Sequence, residues 1–436
     1  MPRQFRRRKF LFFGAAVLNS ILLKACQTTS TNESEKTSGS ASAQEGKSKD
    51  TIKVGILHSL TGTVAISEIA MVEAQKLAIK EINAAGGVLG KQIEVILEDG
   101  ASDWDVFKVK AEKLIEQDKV VTVFGCWTSA SRKAVLDVFE SRNHLLWYPG
   151  LYEGQECSKN VFYTGGAPNQ QIEPAVDWLL KNKGKEFFLV GSDYVYPRTV
   201  NAIVKKQLEA RNGLTVGEEY QPLGSKEFTS IIAKIKKDLP NGGVIFNTVV
   251  GDSNIAFFKL MKSAGLKADK YPVMSLVIGE EEVRQIGKDI LLGHYACWNY
   301  FQTVETPVNK QWVKNFKAEY GVDTRTTDPM EAAYIMVYLW KQAVEKAGTA
   351  DDLEKVRLAA IGQQFNAPAG LVTMQANHHL SKTVYIGQVR NDGLFDIVWS
   401  TGKPIDPQPW NQFISATKGY ACDWSDPSKG GKFKVK

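Results

Sequence analysis

Cysteine and histidine are both scarce in this sequence, with five of each among 436 residues. The cysteines are Cys26, Cys126, Cys157, Cys297 and Cys422, and they lack the paired spacing of a zinc site. The only adjacent histidines are His378 and His379, whose side chains would point to opposite faces of a strand and could not easily chelate one ion. We therefore expect no metal site.

A dinucleotide fingerprint is also missing. Gly55 and Gly62 flank the end of the first apolar strand, but the G-x-G-x-x-G spacing is absent there. An activated nucleophile with a nearby base is equally hard to find, since Cys126 directly follows an apolar strand and a buried structural role suits it better. The sequence thus predicts neither a cofactor nor an enzyme, and a thiol hydrolase acting through Cys126 is the weakest alternative.

The net charge of +6 is not spread over the chain. Residues 1–25 contain six cations and no acid, so the remainder is close to neutral. The cations are Arg3, Arg6, Arg7, Arg8, Lys9 and Lys24. The positive charge is therefore typical of a targeting segment and does not indicate a nucleic-acid partner.

The N-terminus has the layout of an export signal. Its apolar run, Phe10 to Leu23, is short for a membrane span. The stretch RRKFL resembles a twin-arginine core, and LKAC resembles a lipoprotein box that ends at Cys26. We predict a signal peptide over 1–25 and lipidation at Cys26, with a plain signal-anchor helix as the alternative.

Large apolar side chains are absent from residues 27–50, QTTSTNESEKTSGSASAQEGKSKD. Such a segment cannot offset the entropy lost on ordering, so residues 26–50 are predicted to form a flexible tether.

From Thr51 onward, short β-branched runs alternate with amphipathic segments of helical length. This rhythm predicts an α/β fold with two doubly wound parallel sheets, one in each of two lobes joined by a hinge. We place lobe I at 51–168, lobe II at 169–300, and a segment that completes both lobes at 301–436.

Aromatic and hydroxyl side chains concentrate at the predicted carboxyl ends of the strands, where ligands bind in open parallel sheets. The stretch GCWTSASRKAV supplies Trp127 and Ser129, WYPGLYEG supplies Tyr148, and GSDYVYP supplies Tyr194 and Tyr196. These residues predict an aromatic-lined pocket, although Ser129 also suits a helix N-cap.

A family resemblance rests on these blocks. IKVGILHSLTGTVAISE and AIKEINAAGGVLGKQIEVILEDGASD resemble the opening of the branched-chain amino-acid class of periplasmic binding proteins. GCWTSASRKAV, WYPGLYEG, FYTGGAPNQQ, GSDYVYPR and NTVVGDSN are closer to its amide/urea branch, and the whole chain resembles urea-binding lipoproteins of ABC-type urea transporters. The resemblance implies a type I periplasmic-binding-protein fold, a periplasmic location and an ABC permease as partner.

The resemblance also implies the pocket. It places Trp127, Ser129, Tyr148, Tyr194 and Tyr196 around the ligand, and Gly150 where the amide-binding regulators have a hydroxyl residue. We expect urea, with Trp127 and Tyr148 as flat walls, and with Ser129 and the amide nitrogens of its helix start donating to the carbonyl. We expect tyrosine oxygens, backbone carbonyls or one carboxylate, Asp252 or Glu280, to accept from the N–H groups. The alternatives are a short-chain amide, a branched-chain amino acid, or an amide-sensing cytoplasmic regulator.

Overall fold

The computed structural model describes residues 51–435. The predicted signal peptide (1–25), the tether (26–50) and the lipidation site Cys26 lie outside the described residues. Within 51–435, no helix is both long enough and apolar enough to cross a bilayer.

The first half of the described chain builds a five-stranded parallel sheet with the order β2-β1-β3-β4-β5. Its helices are each followed by the next strand, which is the connection that keeps successive strands parallel. The elements are β1 (Thr51–His58), α1 (Ala65–Ala84), β2 (Gln92–Asp99), α2 (Trp104–Glu116), β3 (Val123–Gly125), α3 (Ser129–Ser141), β4 (Leu146–Tyr148) and β5 (Val161–Tyr163). We call this sheet and the helices packed on it the first lobe.

A second sheet of seven strands has the order β15-β14-β10-β9-β8-β6-β7, in which β6 to β10 are parallel and the last two strands are antiparallel. Its parallel part contains α4 (Ile172–Asn182), β6 (Glu186–Ser192), α5 (Val195–Ala210), β7 (Leu214–Gln221), α6 (Thr229–Asp238), β8 (Val244–Thr248), α7 (Ser253–Ser263), β9 (Val273–Ser275), α8 (Glu280–Ile286), α9 (Lys288–Leu291) and β10 (Tyr295–Trp298). We call this sheet and its helices the second lobe.

The rest of the chain adds to both lobes. Its elements are α10 (Pro307–Tyr320), α11 (Asp328–Ala347), α12 (Leu353–Ala360), β11 (Gln364–Ala367), β12 (Gly370–Met374), β13 (Leu380–Ser381), β14 (Tyr385–Val389), β15 (Phe395–Ser400), β16 (Tyr420–Asp423) and β17 (Gly430–Lys434). Helices α10 and α11 pack on α1 of the first lobe, whereas β14 and β15 extend the second sheet. A buried ion pair between Lys382 and Glu331, 3.2 Å apart, lies where the chain returns toward the second lobe.

One disulfide joins distant parts of the described chain. Cys157, in the loop between β4 and β5, is bonded to Cys422 in the β16–β17 hairpin. The spacing of the cysteines in the sequence does not predict this pairing. Cys126 and Cys297 are free, buried thiols.

The predicted fold class, α/β with parallel sheets wound in two lobes, is confirmed. The antiparallel strands β14 and β15 are the departure from a purely parallel second sheet.

Candidate ligand-binding site

A small cavity lies between the two lobes at the carboxyl ends of four parallel strands. The chain leaves β3 toward Trp127, β6 toward Tyr194, β8 toward Val250 and β9 toward Val277. All eight residues that line the cavity are uncharged: Trp127, Thr128, Ser129, Leu151, Tyr194, Tyr196, Val250 and Val277. This placement follows the rule that ligands of open parallel sheets bind beyond the strand ends.

The cavity is narrow. The centre of a water-sized sphere can occupy only about 10 Å³ of it, which corresponds to room for about one water. A planar molecule of four heavy atoms exceeds this space by less than a benzene ring or a leucine side chain does. In this closed arrangement the site suits a very small ligand.

Two polar groups in the cavity wall have no hydrogen-bond partner among the described residues. They are the indole Nε1 of Trp127 and the hydroxyl of Tyr196, and both atoms are buried. A buried polar group without a partner costs about 1–3 kcal/mol, so an unpaired donor in a cavity wall indicates a place for a polar ligand atom. Burial raises the pKa of Tyr196, which keeps its hydroxyl protonated.

Two helices begin at the cavity, one from each lobe. Helix α3 starts at Ser129, and the hydroxyl of its N-cap residue Thr128 accepts a 3.0 Å hydrogen bond from the N–H of Ser131. Helix α5 starts at Val195, directly after Tyr194. The first N–H groups of a helix have no intrahelical acceptor, and its N-terminus carries partial positive charge. The cavity therefore favours an electron-rich oxygen such as a carbonyl.

Ser129 forms hydrogen bonds with buried charged residues that were not predicted from the sequence. Its hydroxyl donates to the carboxylate of Glu153 and accepts from the guanidinium of Arg132 at 3.2 Å. Arg132 also bonds Glu156 at 2.8 Å and lies between the rings of Tyr148 and Tyr152, 4.8 Å from each centroid. Although burial acts to raise it, the charges of Arg132 and Lys133 lower the pKa of Glu156 to about 2.

Tyr148 and Gly150 lie one layer behind the cavity wall instead of lining it. The hydroxyl of Tyr148 donates to the carbonyl of Trp127 at 2.5 Å and to that of Leu151 at 3.2 Å, so it positions two wall residues. A Cβ at Gly150 would stand 2.4 Å from both the Trp127 carbonyl and the Tyr148 hydroxyl. Glycine is therefore required by this close packing, which accounts for the missing hydroxyl side chain at position 150.

Asp252 and Glu280, the carboxylates among the expected acceptors, form hydrogen bonds outside the cavity. Asp252 accepts from the hydroxyl of Thr63, and its N–H donates to the Thr63 carbonyl at 3.2 Å. Glu280 accepts a 2.6 Å hydrogen bond from the N–H of Gln302, and burial raises its pKa to about 8. Neither residue is among the lining residues of the cavity, and the second carboxyl oxygen of Glu280 is buried without a hydrogen-bond partner among the described residues.

The same contacts show that the lobes are closed. Thr63 belongs to the loop before α1 and Asp252 to the loop before α7, so their bonds join the two lobes. Ser67 of α1 donates to Glu282 of α8 at 2.6 Å, and Gln285 donates to the Ile66 carbonyl at 3.3 Å.

Cys126 does not face the cavity. Its side chain is fully buried, and burial raises the pKa of the thiol. A raised pKa disfavours the thiolate that a nucleophile requires. Within 51–435, no three His, Cys, Asp or Glu side chains are grouped so that they could hold a metal ion.

A wider groove of about 570 Å³ lies on the second lobe beside Trp178 and Trp399. It is far larger than the interlobe cavity but lies away from the strand ends where the polar groups converge. We therefore regard the interlobe cavity as the candidate site.

Comparison with known proteins identifies the family of the chain. The model of the periplasmic binding protein domain family matches residues 52–416. A leucine-, isoleucine-, valine-, threonine- and alanine-binding protein of Pseudomonas aeruginosa is 29% identical over 332 residues, or 74% of this chain and 85% of that protein. A protein named limonene hydroxylase, from Geobacillus stearothermophilus, is 37% identical over 124 residues, but the match spans only 28% of this chain and 23% of that protein.

Solved structures share the fold. A solute-binding protein of an ABC transporter from Rhodopseudomonas palustris, in complex with 3,4-dihydroxybenzoic acid, has a TM-score of 0.73 at 24% identity and covers 82% of this chain and 97% of its own. A branched-chain amino acid transporter substrate-binding protein from Streptococcus pneumoniae, in complex with isoleucine, has a TM-score of 0.71 at 22% identity and covers 82% and 100%. The chain belongs to the periplasmic binding protein domain family and is related to the Leu/Ile/Val-binding proteins.

Proposed function

We propose that this protein is the extracytoplasmic substrate-binding component of an ABC transporter and that its ligand is urea. The observation that carries the proposal is the closed cavity, which is very small, lined only by uncharged residues, and walled by an unpaired indole N–H and an unpaired hydroxyl. Urea is small, planar and neutral, and it has one carbonyl acceptor and four N–H donors.

The charge of the lining argues against the ligands of the relatives. An amino acid requires fixed partners for an ammonium and a carboxylate, and burying either without a partner is costly. No charged side chain lines the cavity, and the carboxylate of Glu153 is already bonded to Ser129. A benzoate also requires a cation, and its ring exceeds the space between the closed lobes. A neutral ligand of a few heavy atoms remains.

The polar groups of the cavity match the carbonyl acceptor and the N–H donors of urea. Trp127 Nε1 and the first N–H groups of α3 and α5 are donors suited to the carbonyl oxygen. The oxygens of Ser129, Tyr194 and Tyr196 are acceptors suited to the N–H groups.

Delivery to a membrane permease completes the proposed function. Closure of the second lobe over a ligand docked on the first forms a shape that a permease can distinguish from the open form. An export signal over 1–25 and a lipid anchor at Cys26 would hold this receptor at the membrane on a tether of residues 26–50.

A short-chain amide is the second candidate. Leu151, Val250 and Val277 give part of the cavity an apolar wall, against which a methyl group packs as well as an amino group. Acetamide and formamide are therefore the ligands to compare with urea.

Isothermal titration of the purified protein with urea, acetamide, formamide, leucine and benzoate tests both candidates. We expect saturable binding of urea that is tighter than binding of either amide, and no binding of leucine or benzoate. Binding of acetamide in preference to urea would favour the second candidate. A response to leucine or benzoate alone would contradict the proposal.

A further inference from the structure

A buried cluster of charged side chains lies directly behind Ser129. It consists of Arg132 on α3 and of Glu153 and Glu156 in the loop after β4, with Lys133 at its outer edge. Arg132 is 0% exposed, Glu153 is 1% exposed and Glu156 is 9% exposed. We call these four residues the Arg132 cluster.

The cluster is balanced in charge. Arg132 keeps its proton under all ordinary conditions, and its guanidinium bonds Glu156 at 2.8 Å and approaches Glu153 at 3.4 Å. Lys133 lies 2.8 Å from Glu156 and 3.9 Å from Glu153. Two cations therefore face two carboxylates, which is the arrangement that buried charges require. Both glutamates are accordingly carboxylate acceptors paired with cations.

This charge state determines the direction of the hydrogen bonds at Ser129. An ionised carboxylate has no proton to give, so the Ser129 hydroxyl must donate its only hydrogen to Glu153. Arg132 has no acceptor atom, so its Nη1 must donate to the Ser129 oxygen, 3.2 Å away. The Ser129 oxygen has two lone pairs, and Arg132 uses one of them.

The remaining lone pair belongs to Ser129, a residue that lines the ligand cavity. We propose that Glu153 makes Ser129 an obligatory hydrogen-bond acceptor and thereby selects ligands that present an N–H group. This inference rests on the proposed function, because it assigns the orientation of urea in the same site. The expectation that Ser129 donates to the carbonyl is reversed: Ser129 receives an amide N–H, and the carbonyl points to Trp127 Nε1 and the helix N-termini.

The selectivity follows from the fixed direction of that bond. A ligand oxygen placed against Ser129 would meet a lone pair, with the charge of Glu153 behind it. Urea and acetamide can present an N–H at this position, whereas acetone has the same planar four-atom shape and none. A carboxylate would add repulsion from Glu153. Glu153 is thus a positioning residue that acts on the ligand through Ser129.

Titration of urea, acetamide and acetone into the full-length chain tests this inference, with ligand-observed NMR for the weak ligands. The variants are Glu153→Gln and the matched control Glu156→Gln, which removes a charge from the same cluster without touching Ser129. We expect wild type to prefer urea over acetone by about 100-fold or more, as for a site whose buried acceptor rejects an analogue lacking the donor. Glu153→Gln should reduce that ratio by about 10-fold or more, since a glutamine amide can donate to Ser129 and free its proton. Glu156→Gln should change the affinity for all three ligands by a similar factor and keep the ratio.

An unchanged ratio in Glu153→Gln would overturn the inference, as would an equal loss of ratio in Glu156→Gln, because both results indicate a merely structural role. If Glu153→Gln does not fold, Ser129→Ala provides the test, since loss of the acceptor should lower the urea-to-acetone ratio with little change for acetone. A wild-type protein that binds none of the three ligands would instead contradict the proposed function itself.

Discussion

The hydroxyl of Ser67 donates a 2.6 Å hydrogen bond to the carboxylate of Glu282, and this bond crosses from the first lobe to the second. Both side chains are buried. The other oxygen of Glu282 accepts a 2.9 Å hydrogen bond from the N–H of Gly279, so the carboxylate is fixed on its own lobe as well. The bond exists only while the lobes are closed, and it therefore stabilises the closed form.

Ser67→Ala is expected to weaken ligand binding by about 1–3 kcal/mol, because the closed form would then bury an oxygen of Glu282 without its partner. Because the closed form is destabilised, the effect should be seen mainly as faster ligand dissociation, measured by stopped-flow fluorescence. Ser263→Ala is the control, since that hydroxyl is exposed and bonds only within its own helix. An unchanged dissociation rate in Ser67→Ala would show that the bond does not hold the lobes together.

Trp127→Phe removes the unpaired indole N–H while keeping an aromatic wall, and it should weaken urea binding by about 0.5–1.5 kcal/mol. Trp127→Ala removes the wall as well and should cost about 1–3 kcal/mol. Isothermal titration measures both. Trp147 offers a matched control because its ring is fully buried and stacks on Phe162 away from the cavity. Trp147→Phe should leave the affinity unchanged, and equal losses at the two positions would exclude a specific role for Trp127.

Tyr196→Phe should have opposite effects on stability and on binding. The hydroxyl is buried without a partner, so its removal should leave the melting temperature of the ligand-free protein unchanged or higher. Ligand affinity should fall by about 0.5–1.5 kcal/mol if the hydroxyl meets the ligand. Tyr300→Phe is the counterpart, because its hydroxyl bonds Asn309 at 2.8 Å and Thr326 at 2.7 Å. That variant should lose stability and keep its affinity. A thermal shift assay measures the stability of both variants, and isothermal titration measures their ligand affinity.

Glu280 should make the stability of the protein fall as the pH rises from about 4.5 to about 8. Its pKa is raised from 4.5 to about 8 by burial, so the folded state favours the protonated carboxyl. The resulting contribution is complete below about pH 4.5 and is lost as the pH rises through 8. Glu280→Gln should therefore remove a loss on the order of a few kcal/mol between pH 5 and pH 9. Urea is a candidate ligand, so guanidinium unfolding is the measurement, with exposed Glu345→Gln as the control. Parallel pH profiles for wild type and Glu280→Gln would contradict the assignment.

The Cys157–Cys422 disulfide joins two residues that are 265 positions apart in the sequence. Its removal by a double serine substitution should lower the unfolding free energy by about 2–5 kcal/mol.

Cys126 and Cys297 are buried, and burial raises the pKa of both thiols, so neither should react with iodoacetamide in the native protein. Mass spectrometry after alkylation checks this. Labelling of Cys126 before unfolding would show that the loop around Trp127 opens.

The regular part of the fold could be predicted because its segments are strongly patterned. The β-branched run QIEVILED forms β2 at Gln92–Asp99, and the amphipathic segment SASRKAVLDVFES forms α3. Two elements have too weak a hydrophobic pattern to be predicted from the sequence. Strand β10 has only four residues, and the polar helix α10 buries little beyond Trp312 and Phe316. Such elements are determined by what packs on them.

The candidate site was predicted in part, for a related reason. The strand-end rule brought Trp127, Ser129, Tyr194 and Tyr196 to one cavity, although their contact with a ligand stays a prediction. Glu153 was missed because it stands 24 residues beyond Ser129 in a loop without periodicity, and only folding brings the two together. Leu151, Val250 and Val277 were missed because apolar residues near strand ends look like ordinary core.

The disulfide also makes it possible to measure the movement of the lobes. Cys422 ties the final hairpin to the loop that carries Glu153 and Glu156, so a fluorescent label beside that hairpin should follow the first lobe. A second label on the exposed face of α6 would travel with the second lobe. The energy transfer between the two dyes would then report opening and closing directly, without any change to the residues of the cavity.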